Sequence, residues 1–179
     1  MGIDEEVLVF EPLVHSDERG SFYESYNKQV FDAWVSRDVR FVQDNHSTSA
    51  KGVLRGLHYQ LPPAAQAKLV RVTRGAVFDV AVDIRGSSPS FGEWRGFELS
   101  EHNRRQLWIP EGFAHGFLAL GDGAEVQYKT SEPYSPDRDR AIRWDDVAVG
   151  IEWPLDGVSP TVGARDSAAP PLAEAETFE

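Results

Sequence analysis

Three residues in the stretch KGVLRGLHYQLPPAAQAKLVRVTR (51–74) have side chains suited to moving a proton near a negative charge. His58 is a base near neutral pH, Lys68 a fixed cation and Arg55 an anion clamp. Taken alone, His58 reads as a core histidine held by a backbone carbonyl. Bracketed by two cations on adjoining strand-like segments, it reads as chemistry. His115, in PEGFAHGF, shares a strand face with Phe113 and Phe117 and is expected to point inward. Tyr128 shares a face with Val126; a buried phenol needs a partner, and it is either a core tyrosine or a proton donor.

The alternation along GVLRGLHYQ raises a difficulty. Leu54, Gly56, His58 and Gln60 fall on one face, and Arg55, Leu57 and Tyr59 on the other. Arg55 and His58 meet if Gly56 hosts a bulge, or if the two come together across an interface between chains.

Other chemistries find less support. Metal-binding double-stranded barrels offer His-x-His, a carboxylate and a later histidine. Here the first motif is His58-Tyr59-Gln60, leaving two imidazoles and an amide, so neither a bound metal nor a cofactor is expected. The chain has no cysteine, no GxSxG elbow and no Gly-rich phosphate loop. What remains is acid–base work by His, Tyr and Lys, with a carboxylate to orient an imidazole. Asp166 in GARDS is the best late carboxylate by context, and by sequence alone an acidic residue in a loop. Among Arg19, Arg55, Arg71, Arg74 and Lys68, most are read as solvated; one or two aimed at a cleft favour an anion such as a diphosphate.

These groups need a scaffold of short strands. VLVFEPLV (7–14) and SFYESY (21–26) read as strands flanking a turn at HSDERGS. NKQVFDAW (27–34) reads as a short helix capped by Asn27, with Val30, Phe31 and Trp34 at helical spacing. FVQDNHSTS is extended. GVLRGLHYQ ends at Pro62-Pro63, and KLVRVTR and AVFDVAVDI are joined by a tight turn at Arg74-Gly75. In the latter, Phe78, Val80, Val82 and Ile84 form the buried face and Asp79, Ala81 and Asp83 the polar one. GEWRGFELS, RQLWIP, GFAHGFLAL and AEVQYKT follow at strand length. The pattern predicts an all-β sandwich or barrel in a single domain spanning 1–179. The chain after Pro133 reads as irregular, and 168–179, rich in Pro and Glu, as loosely ordered.

The 179 residues carry a formal net charge of −11, which argues against nucleic acid or an anionic membrane as the main partner. The first ten residues have no basic start or apolar run of a secretion signal, and no apolar stretch is long enough for a membrane span. The absence of cysteine permits a reducing compartment, and a cytoplasmic location is expected.

Taken together, HSDERGSFYES, FVQDNHS, GVLRGLHYQ, QAKLVRVTRGAVFDVAVDIR, PEGFAHGF, YKTSEPYSP and IRWDD resemble the dTDP-4-dehydrorhamnose 3,5-epimerase family. The resemblance implies a cupin-type jelly-roll β-barrel, working as a homodimer on a dTDP-4-keto-6-deoxyhexose. Carried over by motif, His58 would be the base, Asp166 its partner, Tyr128 the general acid and Lys68 the cation at the enolate oxygen. Arg19, Glu24, Gln43, Asn45, Arg55 and His115 match substrate-contacting positions. Tyr134 would stack on the thymine, with Asp139 and Arg165 adding contacts. Asp139 stands where relatives commonly carry Glu, and Arg165 where they commonly carry Lys. Some N-terminal contacts would cross the dimer interface. The competing readings are a monoepimerase of a related dTDP-4-keto sugar, a non-catalytic sugar-nucleotide binding barrel and a metal-dependent cupin dioxygenase.

Overall fold

The computed structural model describes residues 2–157 and 159–179. The elements run α1 (Ile3–Glu6), β1 (Leu8–Phe10), β2 (His15–Asp17), β3 (Gly20–Phe22), α2 (Lys28–Val35), β4 (Gln43–Ser49) and β5 (Val53–Gln60). Then come β6 (Lys68–Asp83), β7 (Trp94–Ser100), β8 (Gln106–Ile109), β9 (Phe113–Thr130), β10 (Asp139–Ala141), β11 (Thr161–Val162) and α3 (Ala164–Ser167). A 3-10 turn follows at Leu172–Glu174.

Two long strands form the spine. β6 and β9 pair antiparallel along their length; β9 also carries β4 and β5, and β6 carries β7 and β8. The sheet order is β1-β8-β6-β9-β5-β10, while β2 and β3 pair only with each other. The interior is a cluster containing Val70, Val72, Val77, Ala81, Phe117 and Val126. This is an all-β fold, as the strand spacing predicts, of the jelly-roll kind that the resemblance implies, with a short N-terminal helical region.

The expected turn at Arg74-Gly75 does not form: β6 runs straight through it. The glycine signal has another cause. A Cβ at Gly75 would lie 1.9 Å from the Gly123 carbonyl oxygen, so glycine is needed where β6 and β9 press together. The β6–β9 register shifts between Val72 and Arg74, and again between Gly75 and Ala76. These shifts reverse the side-chain phase, so Val77 and Ala81 join Val70 and Val72 in the interior. Asp79 and Asp83 are therefore fully buried rather than on a polar face. GFAHGFLAL and AEVQYKT likewise form one strand, β9.

The N-terminal strands are shorter than expected. Residues 3–6 wind into α1 with Ile3 buried, and β1 spans only 8–10. The predicted helix is present: Asn27 accepts from Gln29 N and Val30 N, and Phe31 packs edge-on against Trp108. Val30 faces solvent rather than the core.

The 168–179 segment is packed, not loose. Leu172 is buried in a cluster with Leu57, Tyr59 and Ile142. Phe178 bridges to Arg85 and exchanges backbone hydrogen bonds with Ile84 and Gly86. The Pro and Glu residues dominate its composition, but its few apolar side chains are enough to seat it.

Candidate active site

A cleft of about 620 Å³ opens beside β5, β6 and β9. It brings together His58, Lys68, Tyr128 and Asp166 with Gln43, Asn45, Arg55, His115, Tyr134, Asp139 and Arg165.

Arg55 and His58 reach it from a single chain because β5 is bulged. Arg55 pairs with Phe117 and His58 with His115, three residues against two. The extra residue puts both side chains on the cleft face. Gly56 makes this possible: its φ is +129°, and a Cβ there would lie 2.5 Å from Gly116 Cα and 2.9 Å from the His115 carbonyl. Arg55 is aimed by its Nε donating to Ser49 Oγ and its Nη2 to the Thr48 carbonyl.

His58 Nε2 lies 2.7 Å from Asp166 Oδ1, while Asp166 Oδ2 accepts from Gly56 N at 3.0 Å. Burial raises the Asp166 carboxyl, but the bonds from His58 and Gly56 outweigh it and hold the group below the usual carboxylate range. An ionised Asp166 takes the Nε2 proton of His58 as its hydrogen-bond partner, leaving Nδ1 with a free lone pair. His115, paired with His58 across the strands, has its Nε2 2.9 Å from Asp79 Oδ1. Burial pushes the His115 imidazole below its ordinary value, only partly offset by Asp79. It therefore stays neutral at neutral pH.

Lys68 is buried at the cleft floor, its Nζ donating to the His58 carbonyl at 3.2 Å. Burial lowers its pKa to about 8, with Asp79 and Asp139 pulling the other way. Tyr128 is raised, chiefly by burial and partly countered by Arg55, so it remains a protonated phenol at neutral pH. At the outer end, Asp139 accepts from the Tyr134 hydroxyl at 3.0 Å and pairs with Arg165 at 2.7 Å. Gln43 accepts from Tyr134 N and donates to Asn45.

Gln60, standing where a second metal-binding histidine would be, is committed to backbone. Its Nε2 donates to the Ala64 and Pro133 carbonyls and its Oε1 accepts from Ser135 N. With both histidine Nε2 atoms bound to aspartates, the donor set suits proton transfer better than metal ligation.

Arg19 and Glu24 are not in the cleft of their own chain. Arg19 pairs with Asp17 on the exposed β2–β3 hairpin, and Glu24 accepts from Asn27 beside α2. Two residues were missed by sequence reasoning. Asp79 was hidden by the phase reversal in β6. Ser47 lies on the cleft face with Gln43 and Asn45, and its Oγ is buried without a partner among the described residues; alternation along QDNHSTS was the available signal.

Fold and cleft together define a cupin-type isomerase. Residues 3–174 match the family model described as dTDP-4-dehydrorhamnose 3,5-epimerase, and the chain belongs to that family. It is 57% identical over 173 residues to the dTDP-4-dehydrorhamnose 3,5-epimerase of Shigella flexneri, covering 97% of this chain and 94% of that protein. Among solved structures, the dTDP-6-deoxy-D-glucose-3,5-epimerase of Legionella pneumophila in complex with dTDP-4-keto-L-rhamnose is 48% identical. It superposes with a TM-score of 0.92 over 97% of this chain and 91% of that one. The dTDP-4-dehydrorhamnose 3,5-epimerase of Bacillus anthracis with TDP and pyrophosphate bound is 46% identical, with a TM-score of 0.89 over 93% and 94%.

Proposed function

We propose that this chain epimerises C3 and C5 of dTDP-4-dehydro-6-deoxy-D-glucose to give dTDP-4-dehydro-L-rhamnose, a step toward dTDP-L-rhamnose, by metal-free acid–base chemistry. The observation that carries the mechanism is one cleft holding an aspartate-bound imidazole, a buried ammonium and a protonated phenol.

The C4 ketone acidifies the hydrogens on C3 and C5. His58 takes one of them, the C–H electron pair moves into the ring, and negative charge collects on the ketone oxygen. Lys68 stabilises that oxygen in a site with little water. Tyr128 returns a proton to the opposite face, reversing the configuration; His58 and Tyr128 then recover their starting protonation by exchange with water. The same cycle serves the second carbon. Asp166 orients His58 and supports the imidazolium. Arg55, Gln43, Asn45 and His115 hold the sugar and diphosphate, and Tyr134, Asp139 and Arg165 the nucleoside end.

The reading includes a single domain, a homodimer and a cytoplasmic location, where nucleotide-activated sugars are made. A dimer is supported by the β2–β3 hairpin, which carries Arg19 away from its own cleft and exposes Phe22, and by exposed Leu13 nearby. There Arg19 and Glu24 serve the partner's cleft.

The test is NMR of the sugar after turnover in D2O. Deuterium at both C3 and C5 is expected. Deuterium at one carbon only would make the enzyme a monoepimerase, and none at either would refute the chemistry.

A further inference from the structure

Asp166 rides on α3, a single helical turn without a side-chain N-cap. So short a helix has little stability of its own. Its place depends on the chain before and after it. Before it, β11 pairs with β5 at Val53 and Leu54. After it, the chain is pinned at a series of points. The Pro170 carbonyl accepts from Arg143 N at 2.9 Å, and Leu172 N donates to Asp146 Oδ2 at 2.6 Å. Asp146 is itself buried, and its other oxygen accepts from Ala148 N and Val149 N. The segment then passes behind β5. There the Tyr59 hydroxyl donates to the Glu176 carbonyl at 2.6 Å, and the Glu176 carboxylate pairs with Arg140. Phe178 packs near the Tyr59 ring and closes the segment on Ile84 and Gly86.

Neighbouring residues of one strand are thus gripped from opposite sides by one stretch of chain: His58 by Asp166 in front, Tyr59 by Glu176 behind. We propose that Tyr59 is a positioning residue for the reaction, anchoring the C-terminal segment as a strap that sets where Asp166 meets His58. The inference rests on the reading of His58 and Asp166 as base and partner. Tyr59 borders the cleft, but its hydroxyl is turned to the Glu176 carbonyl; it acts through the backbone between residues 166 and 176. Burial pushes its phenol up to about 12, so it stays a donor across the working range.

The experiment is a double-mutant cycle in the full-length chain, with Tyr59→Phe, which keeps the ring, and Asp166→Asn. Tyr59→Phe is expected to lower kcat about tenfold, with KM within about twofold, since small misplacements of a catalytic group cost rate rather than binding. The low-pH limb of kcat/KM moves in the same direction as in Asp166→Asn. In the Asp166→Asn background Tyr59→Phe should cost nothing further. Phe178→Ala, which loosens the strap at its other end, should behave in the same way. An unchanged kcat in both strap variants, or losses of equal size in both backgrounds, would overturn the proposal. If Asp166→Asn alone leaves kcat intact, the reading of the His–Asp pair has itself failed and the strap's role falls with it.

Discussion

His58 and His115 stand opposite each other on β5 and β9, and each has its Nε2 bound to a different aspartate. Their surroundings divide their roles. The His58 side chain is 32% exposed in the cleft, whereas His115 and Asp79 are at 6% and 0%. The open imidazole can meet a carbon acid and shed its charge; the closed one is held neutral by burial and serves as a fixed hydrogen-bonding group.

Replacing the open histidine would remove the proposed base and leave the cleft walls in place. His58→Ala is expected to lower kcat by about 10²–10⁴ or more, with dTDP-sugar affinity nearly unchanged. Steady-state kinetics alongside calorimetric binding checks this; equal losses in both would indicate a binding role instead.

Lys68 sets the alkaline limit. With its pKa lowered to about 8, the ammonium is present below that pH and lost above it. In the proposed mechanism a charged Lys68 stabilises the enolate, so kcat should fall as pH rises through about 8. Lys68→Arg should move this limb upward, because a guanidinium does not deprotonate in that range. Lys68→Met should lose about 10²-fold or more at every pH.

Gly56→Ala strikes at the bulge. The added methyl group meets backbone at 2.5 and 2.9 Å, on a residue with φ +129°. A loss of about 2–4 kcal/mol of stability is expected, read by chemical denaturation. Activity should fall further than stability alone explains, because Gly56 N also holds Asp166.

Asp139 organises the outer cleft through Tyr134 and Arg165. Asp139→Asn should raise KM about tenfold with kcat nearly unchanged, the signature of lost uniform binding. The Tyr134 phenol, raised mainly by its bond to Asp139, should fall back toward its ordinary value in an ultraviolet titration of the variant.

Local signals were readable, and so was the possibility of a bulge at Gly56; the phase change in β6 was not foreseen. Asn27 announces α2 because a cap and its helix are neighbours in sequence. His58, Lys68 and His115 stand out because polar groups interrupt apolar strands. Arg55 looked misplaced beside His58, and Asp79 looked solvated, for one shared reason. A register shift separates Arg55 from His58, another separates Asp79 from the first part of β6, and strict alternation fails there. Asp166 reaches His58 across 108 residues, which no periodicity can foresee; only the family resemblance pointed to it. The tail was misread because composition averages over Leu172 and Phe178, whose side chains help to seat it.

The offset near Thr73 makes the enzyme sensitive to insertions and deletions in a way that substitutions would not reveal. Removing one residue there would cancel the half-turn between the two parts of β6. Asp79 and Ala81 would trade places with Phe78 and Val80, and the carboxylate facing His115 would be swapped for a methyl-bearing side chain. The number of residues at this point, more than their identity, decides which side chain faces His115.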